Sequence, residues 1–321
     1  MEVDISVIIP AYNAEKTIEK CIESVLVQTG CSYEMVIVND GSTDRTPEII
    51  EQYKKQYDNI VYISQENKGL SRTKNVALDH VSGNHFIILD SDDYLPAGIF
   101  KVMSQYFGED LSLYSFTQHK NGKCVSTSIW EQFGTYSFDE LFSNYSNLER
   151  LNATMVRLFK TNIQREYQLY YNAQSRYSED LQFNYTYYKY CKKVVVDPTV
   201  AYCVELTENS LSRQFYGGKS KEMKDCYALS EQFLTSTIPL SNVFVKLYKN
   251  CALDEIGANV SKREFIDLTK DFHTIIDFSL RLEGGLHNRV LAFLFNRRKY
   301  SLIYWLGMLN FFAVYKNVIK G

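Results

Sequence analysis

Short apolar runs alternate with amphipathic stretches along the first part of the chain. The apolar runs cover residues 3–9, 35–38, 60–63 and 85–89, and short runs bounded by polar residues are typical of buried strands. The stretches between them have apolar residues at helical spacing, most clearly at Ile18, Cys21, Ile22, Val25 and Leu26. This alternation predicts βαβ units, and therefore an α/β fold with a doubly wound, mostly parallel sheet flanked by helices.

Polar residues follow each of the four predicted strands. They are Tyr12 and Asn13, Asp40, the segment Asn67-Lys68-Gly69, and the segment Asp90 to Asp93. Doubly wound sheets bind ligands in the crevice beyond the carboxyl ends of their strands. Turns between strands and helices are often polar for structural reasons alone. Because four such turns converge on one crevice, the pattern favours a ligand site.

The fourth predicted strand stops at three carboxylates, in the sequence Asp90-Ser91-Asp92-Asp93. Carboxylates this close repel one another unless a cation lies between them, and hard divalent cations prefer oxygen ligands. Asp and Ser are also favoured turn residues, so the segment alone is equally consistent with a turn before the next element. Together with the other three strand ends, it favours a ligand with a divalent metal.

Composition and missing motifs exclude several classes of protein. The net charge is -3 and the sequence pI is about 6.0, so the charge does not indicate a nucleic-acid partner. The seven cysteines include no CxxC pair, which predicts reduced thiols in a cytoplasmic protein. The first predicted strand follows the N-terminus directly, so we expect no signal peptide. Neither GxGxxG nor GxxxxGK[ST] is present, which argues against a dinucleotide fold and a P-loop.

Five segments match a known family in order and spacing. They are residues 7–13 (VIIPAYN), 38–44 (VNDGSTD), 67–75 (NKGLSRTKN), 89–93 (LDSDD) and 178–183 (SEDLQF). Together they resemble the family 2 inverting glycosyltransferases, which have a GT-A type nucleotide-sugar fold. The resemblance extends from residue 1 to about residue 215 and leaves the last third of the chain unexplained.

The resemblance implies a nucleotide site at the ends of the strands. Pro10, Ala11 and Tyr12 would flank the base, and Asp40 would accept a hydrogen bond from the ring N–H of uracil. The other nucleotide-binding candidates are Asn13, Asn67, Lys68, Gly69, Lys74, Asp90 and Ser91. Lys74 stands where the family usually has arginine, so it keeps the positive charge but lacks the planar guanidinium.

The resemblance also implies a metal site and a catalytic base. Asp92 and Asp90 would hold Mn²⁺ or Mg²⁺ at the donor diphosphate, with Asp90 also near the ribose. The acceptor hydroxyl must lose a proton as it attacks, and Asp180, with Glu179 beside it, would be the base. One base suffices for a single displacement with inversion. Without the upstream motifs, Glu179 and Asp180 would simply be acids that suit the positive end of a helix.

The segment after the matched region supplies further candidates. Ser210, Ser212 and Arg213 resemble the family's closing loop and could contact the diphosphate, although a solvated loop is the alternative. We predict a GT-A catalytic domain at residues 1–215, with a nucleotide-binding half at 1–93 and an acceptor-side half at 94–215. A helical C-terminal region, membrane-associating or oligomerising, would follow at residues 216–321.

The end of the chain is basic and aromatic. Residues 286–321 contain no acid, and the apolar run at residues 300–315 is shorter than the roughly 20 residues that span a bilayer. Aromatic residues flanked by Lys and Arg suit an anionic membrane surface. The alternative is an apolar helix that packs on the catalytic domain or on a second subunit.

The sequence therefore predicts a metal-dependent inverting glycosyltransferase, a hexosyl- or N-acetylhexosaminyltransferase. It would move a sugar from a UDP-sugar to a glycan or lipid-linked oligosaccharide in bacterial surface polysaccharide synthesis, on the inner face of the cytoplasmic membrane. A non-catalytic nucleotide- or glycan-binding subunit is one alternative, but it should have lost Asp92 or Asp180. A sugar-1-phosphate nucleotidyltransferase is another, but it should have a Gly-rich, basic loop at residues 11–15.

Overall fold

The computed structural model describes residues 2–137, 140–141, 156–175 and 178–206, and the separate residues 222, 226, 262, 263, 266, 297, 298 and 301. The chain divides into two compact units, residues 1–210 and 211–321. The sequence-based boundary at residue 215 stays a prediction. The predicted diphosphate contacts Ser210, Ser212 and Arg213 and nearly all of the region 216–321 lie outside the described residues. Within those residues, no helix is both long and apolar enough to cross a membrane.

The elements of the first unit alternate as the sequence pattern predicts over its first half. The strands are β1 (Ile5–Ala11), β2 (Tyr33–Asp40), β3 (Ile60–Gln65), β4 (His85–Ile88), β5 (Leu111–Lys120), β6 (Lys123–Ser128), β7 (Gly134–Tyr136), β8 (Arg157–Lys160) and β9 (Val194–Glu205). The helices are α1 (Ile18–Leu26), α2 (Thr46–Lys54), α3 (Leu70–Leu78), α4 (Ile99–Met103), α5 (Thr161–Glu166) and α6 (Glu179–Tyr188), with a 3₁₀ turn at Ser104–Tyr106.

The nine described strands form one sheet in the order β3-β2-β1-β4-β8-β5-β9-β7, and β6 pairs with β5. The pairs among the first four strands are all parallel, as the βαβ pattern predicts. Strand β8 lies between β4 and β5 and runs antiparallel to both, whereas β5 and β9 are parallel. The sheet is therefore mixed as a whole, and its mostly parallel part is the half that contains β1 to β4.

The core lies where apolar strands meet the apolar faces of the helices. Every residue of β1 is buried, and α1 covers it with a buried stripe that includes Ile18, Ile22 and Val25. Helix α2 begins at Thr46 with Pro47 in its first turn, where a missing N–H costs nothing. The hydroxyl of Thr46 accepts a hydrogen bond from the backbone N–H of Ala14 at 2.7 Å, which ties the loop after β1 to the helix after β2.

Candidate active site

The loops after β1 and β2 are joined by the side chain of Asn13. Its Oδ1 accepts a hydrogen bond from the backbone N–H of Thr43 at 2.8 Å, and its own N–H donates to the hydroxyl of Ser42 at 3.0 Å. Asn13 has a φ of 49°, in the left-handed region that asparagine tolerates well. The neighbouring Tyr12 leaves about half of its surface exposed, at 52%. The two loops thus form a fixed rim with one aromatic ring open to solvent.

Asp40, at the end of β2, holds the loop that follows β3. Its Oδ1 accepts hydrogen bonds from the backbone N–H of Lys68 at 2.8 Å and from Nε2 of Gln65 at 2.7 Å. Its Oδ2 accepts one from the backbone N–H of Gly69 at 2.9 Å. A carboxylate offers about four lone-pair positions, so Oδ2 can still accept one further hydrogen bond. Asp40 therefore has a structural role that the sequence did not predict, and Oδ2 keeps one acceptor position that no described residue uses.

Lys74 is buried on α3 and lies against the acidic start of α6. Its Nζ is 2.5 Å from Oδ1 of Asp180 and 3.7 Å from Oε1 of Glu179. It also lies 5.1 Å from the centre of the Tyr171 ring. Burial alone would lower the pKa of Lys74, but the charges of Asp180 and the other nearby acids raise it above its ordinary value. The ammonium is therefore held in its charged form beside the candidate base.

The acids after β4 form a turn and also crowd one another. The backbone N–H of Asp93 donates to the carbonyl of Asp90 at 3.0 Å, and its Oδ1 accepts from the backbone N–H of Glu205 at 2.8 Å. Burial, together with the charges of Asp90 and Asp92, raises the pKa of Asp93 to about 8. Burial raises the pKa of Asp90 to about 6, although Lys74 opposes this shift, and burial also raises the pKa of Asp92.

The carboxylates of Asp90 and Asp92 suit a cation whose coordination is completed by a bound ligand. Among the described residues, no three His, Cys, Asp or Glu side chains are grouped so that they could hold a metal by themselves. Asp90 and Asp92 still supply hard oxygen donors, and a cation between them would relieve the repulsion that contributes to the raised pKa of Asp93. Mg²⁺ is usually bound by one or two carboxylates together with substrate phosphates.

The two candidate catalytic acids differ in exposure. The side chain of Glu179 is 10% exposed and that of Asp180 is 28% exposed. Burial and the charge of Asp180 raise the pKa of Glu179 to about 7, while Lys74 acts in the opposite direction. Lys74 contacts Oδ1 of Asp180, and Oδ2 makes no hydrogen bond within the described part of the chain. Of the two acids, Asp180 is the one that an incoming hydroxyl can reach more easily.

One cleft joins the acids after β4 to the acids at the start of α6. Lys74, Asp90 and Asp180 line it, so residues from three separate segments of sequence meet there. Its remaining lining residues are Ile88, Val156, Arg157, Phe159, Tyr171, Asn184 and Tyr202. Arg157 and Asn184 were not among the site residues predicted from the sequence. The spacing of Asn184, one helical turn after Asp180, was the signal that could have found it.

The remaining predicted site residues lie at the surface or at the edge of this region. Asn67, Lys68 and Gly69 are exposed, and Ser91 is partly buried beside Asp92. Ala11 is buried, as is Pro10, at the end of β1. The structure therefore brings Asp90, Lys74 and Asp180 into one cleft, while the exposed loop at residues 67–69 is linked to it through Asp40 and α3.

Sequence comparison finds related proteins over the first half of the chain and beyond. A family model described as glycosyl transferase family 2 matches residues 6–165. Glycosyltransferase GlyA of Streptococcus pneumoniae is 30% identical over 226 residues, which are 65% of this chain and 31% of that protein. The poly(ribitol-phosphate) beta-glucosyltransferase of Bacillus spizizenii is 27% identical over 210 residues, 62% of this chain and 31% of that protein. The matches thus span less than a third of these relatives.

Structural comparison finds a similar fold in a solved structure. Residues 1–349 of S. aureus TarS, crystallised in complex with UDP-GlcNAc, match 95% of this chain and 92% of that chain. The TM-score is 0.69 and the sequence identity is 21%. This likeness confirms the predicted GT-A type fold, a mixed sheet flanked by helices.

Proposed function

The chain belongs to glycosyl transferase family 2, and we propose that it transfers a sugar, with inversion, from a UDP-sugar to a hydroxyl of a surface glycan or lipid-linked oligosaccharide. The observation that carries this proposal is the cleft shared by Asp90 and Asp180. Such a reaction needs a diphosphate site and a base on opposite sides of one sugar. The name of the relative from Bacillus spizizenii, which acts on a poly(ribitol-phosphate), supports a surface polymer as acceptor.

The donor nucleotide would lie on the rim made by the first three strand ends. Asp40 can accept one more hydrogen bond at Oδ2, which suits the ring N–H of uracil. The half-exposed ring of Tyr12 lies at the same rim, next to Pro10 and Ala11, and could stack on the base. A UDP-sugar complex of a protein with the same fold supports this choice of nucleotide.

The diphosphate would lie beside Asp90 and Asp92, which would hold Mn²⁺ or Mg²⁺. When bound, a divalent cation neutralises the charge that grows on the departing diphosphate. Asp90 and Asp92 would hold this cation, and Lys74, in the lining of the same cleft, would add a positive charge near Asp90. Asp93 keeps the turn in place through its bond to the backbone of Glu205.

Asp180 would take the proton of the acceptor hydroxyl. Its Oδ2 is the more available carboxylate oxygen, because Oδ1 is held by Lys74. Glu179 would position Lys74 from the other side, at 3.7 Å, and keep it from moving away from Asp180. The group that receives the proton would therefore be held in place by a partly buried ion pair before any substrate arrives.

The proposed donor can be tested by the melting temperature of the full chain with UDP, UDP-GlcNAc, UDP-glucose and GDP, each with Mn²⁺, Mg²⁺ or EDTA. Ligands that bind the folded state raise the melting temperature by mass action. We expect a metal-dependent rise with UDP and a UDP-sugar, and no metal-dependent rise in Asp92→Asn. A rise with GDP alone would refute the uracil assignment. Donor binding without transfer to any glycan acceptor would favour the non-catalytic alternative.

A further inference from the structure

One buried polar group of α6 has no partner. Asn184 is 2% exposed, and its Nδ2 makes no hydrogen bond with any described residue. Buried donors in folded proteins are almost always paired, because an unpaired donor loses its hydrogen bonds to water and gains none in the protein. Such an exception calls for a specific explanation, and a ligand that is absent from the free protein is one.

The position of Asn184 on the helix gives that explanation. It follows Asp180 by one helical turn, so the two side chains share a face of α6. Both line the cleft that Asp90 and Lys74 enter from the other elements. The side chain of Asn184 therefore lies in the wall of the same cleft as the candidate base and the candidate metal ligand.

The proposed reaction determines which part of the donor lies against this cleft. The carbon that is attacked must lie between the diphosphate, held near Asp90, and the acceptor hydroxyl, which gives its proton to Asp180. The transferred sugar would therefore lie against the cleft between these two acids. Its walls combine apolar side chains, such as Ile88 and Phe159, with the amide of Asn184. A sugar ring has the matching chemistry, with apolar C–H faces and a rim of oxygens.

We propose that Asn184 determines sugar specificity by forming a hydrogen bond with an oxygen of the transferred sugar. The inference rests on the proposed function. An amide can donate through its nitrogen or accept through its oxygen, so it suits a sugar hydroxyl or an acetamido group, which also do both. Asn184 has a neutral side chain, so it can bind there without disturbing the charges on Lys74 and Asp180. Sites that read a substrate hydroxyl in this way reject analogues that lack it.

The test compares Asn184→Leu with Thr186→Ala in the full chain. Leucine has nearly the shape of asparagine but no polar atoms. Thr186 lies on the same helix, and its hydroxyl donates to the carbonyl of Gln182 at 2.8 Å, away from the cleft lining. The measurements are the melting temperature of the free protein and the dissociation constants for UDP, UDP-glucose, UDP-galactose, UDP-GlcNAc and UDP-GalNAc, by calorimetry with Mn²⁺.

We expect Asn184→Leu to melt no lower than the wild type, since it removes an unpaired buried donor. Its affinity for UDP should be unchanged, while the preferred UDP-sugar should lose about two- to tenfold in affinity relative to UDP, the range of one neutral hydrogen bond. Thr186→Ala should keep the wild-type ratio. If Asn184→Leu fails to fold, Asn184→Ala provides the same affinity ratio.

Three outcomes would overturn the inference. A lower melting temperature with an unchanged ratio would mean that Asn184 only supports the fold. An unchanged ratio at an unchanged melting temperature would mean that its partner is a trapped water molecule. A wild type that binds every UDP-sugar no differently from UDP would mean that no sugar oxygen is recognised. A wild type that binds neither UDP nor any UDP-sugar would instead refute the proposed donor.

Discussion

Lys74 and Asp180 form a partly buried ion pair across 106 residues of sequence, with Nζ 2.5 Å from Oδ1. The pair links α3 to the first turn of α6. A buried ion pair is weak evidence for extra stability, because both groups lose their hydration. The pair instead fixes positions, since Lys74 holds the candidate base and also offsets the charge of Asp90, which lines the same cleft.

Lys74→Met should destabilise the protein by about 3 kcal/mol at about pH 8, because it leaves buried carboxylates without their counter-charge. Asp90 and Glu179 have raised pKa values, about 6 and about 7, even with Lys74 present. A carboxyl group whose pKa is raised by folding stabilises the folded state at low pH. This stabilisation is lost as the pH rises through the pKa of the folded state. The deficit should therefore shrink towards about pH 5. Urea unfolding at several pH values measures it.

The exposed neighbour provides the control for this prediction. Arg72 lies two residues earlier on α3 and is exposed, so Arg72→Met removes a similar cationic chain from the solvent side. It should change the free energy of unfolding by less than about 0.5 kcal/mol. A Lys74→Met deficit that does not depend on pH would show that the loss comes from packing alone.

Asp180→Asn should reduce sugar transfer by about a hundredfold to ten-thousandfold, the usual contribution of a general base. Donor binding should stay nearly unchanged, because the base acts on the acceptor. Transfer rates and UDP-sugar dissociation constants measure the two effects separately. Glu179→Gln should reduce transfer less, since Glu179 is the more buried of the two acids. A stronger loss of sugar transfer in Glu179→Gln than in Asp180→Asn would mean that Glu179 is the base.

The sequence predicted what depends on local pattern and left out what depends on distant contacts. The four parallel strands and the start of α2 at Thr46 follow from apolar periodicity and from a proline in the first helical turn. Strand β9 contains Pro198, a residue that usually interrupts a strand, yet the pairing with β5 continues past a register shift. Proline is tolerated there because an irregular register frees its position from the ladder.

The contacts of the candidate site that the sequence did not predict share one physical cause. Lys74 was assigned to the nucleotide from its place in a motif, and nothing in local sequence shows that Asp180 would pair with it. Asp40 was assigned to the base alone, although the backbone of the loop at residues 67–69 donates two hydrogen bonds to it. Partners brought together by folding of the whole chain leave no periodic signal in any single stretch.

His85→Phe should reduce the acid sensitivity of the fold. His85 is buried at the start of β4, stacks on Phe107 at 4.7 Å, and neither ring nitrogen has a hydrogen-bond partner among the described residues. Burial lowers its pKa. A lowered histidine pKa gives stability that is present above the unfolded value, about 6.5, and is lost as the pH falls through the folded value. Thermal unfolding between about pH 8 and about pH 5 tests this.

The matched control for that prediction is His80→Phe, at an exposed position shortly before His85 in the sequence. It should leave the pH dependence of the melting temperature as in the wild type. If His85→Phe loses stability with acid as steeply as the wild type, the carboxylates of the cleft and not His85 control the acid transition.

Deletion of residues 286–321 should release the protein from anionic vesicles. This segment has six Lys and Arg side chains and no acid, and each cation near an anionic surface contributes about 1 kcal/mol. Vesicle flotation of the full chain and of the shortened chain measures the difference, and binding of the full chain should weaken with added salt. Retained binding by a folded shortened chain would place the membrane contact elsewhere.

Gly41→Ala should weaken UDP binding, because Gly41 lets the loop after Asp40 approach the loop at residues 67–69 closely. Its φ is +70°, and a Cβ there would lie 2.6 Å from the backbone nitrogen of Asn67. Gly98 offers a matched control, with φ at +80° but no described atom within 4 Å of an added Cβ. Both alanine variants carry the left-handed cost of about 1 kcal/mol. Gly41→Ala should cost about 1 to 3 kcal/mol more, as overpacking does.

The affinity for UDP then separates a general loss of stability from damage to the Asp40 contacts. The clash at Gly41 moves the loop at residues 67–69, whose backbone N–H groups orient the Asp40 carboxylate. Calorimetry should show weaker UDP binding in Gly41→Ala and wild-type binding in Gly98→Ala, at a temperature where both are folded. Equal affinities in the two variants would mean that Asp40 keeps its orientation without this loop, and that its contact with the base, if made, depends on β2 alone.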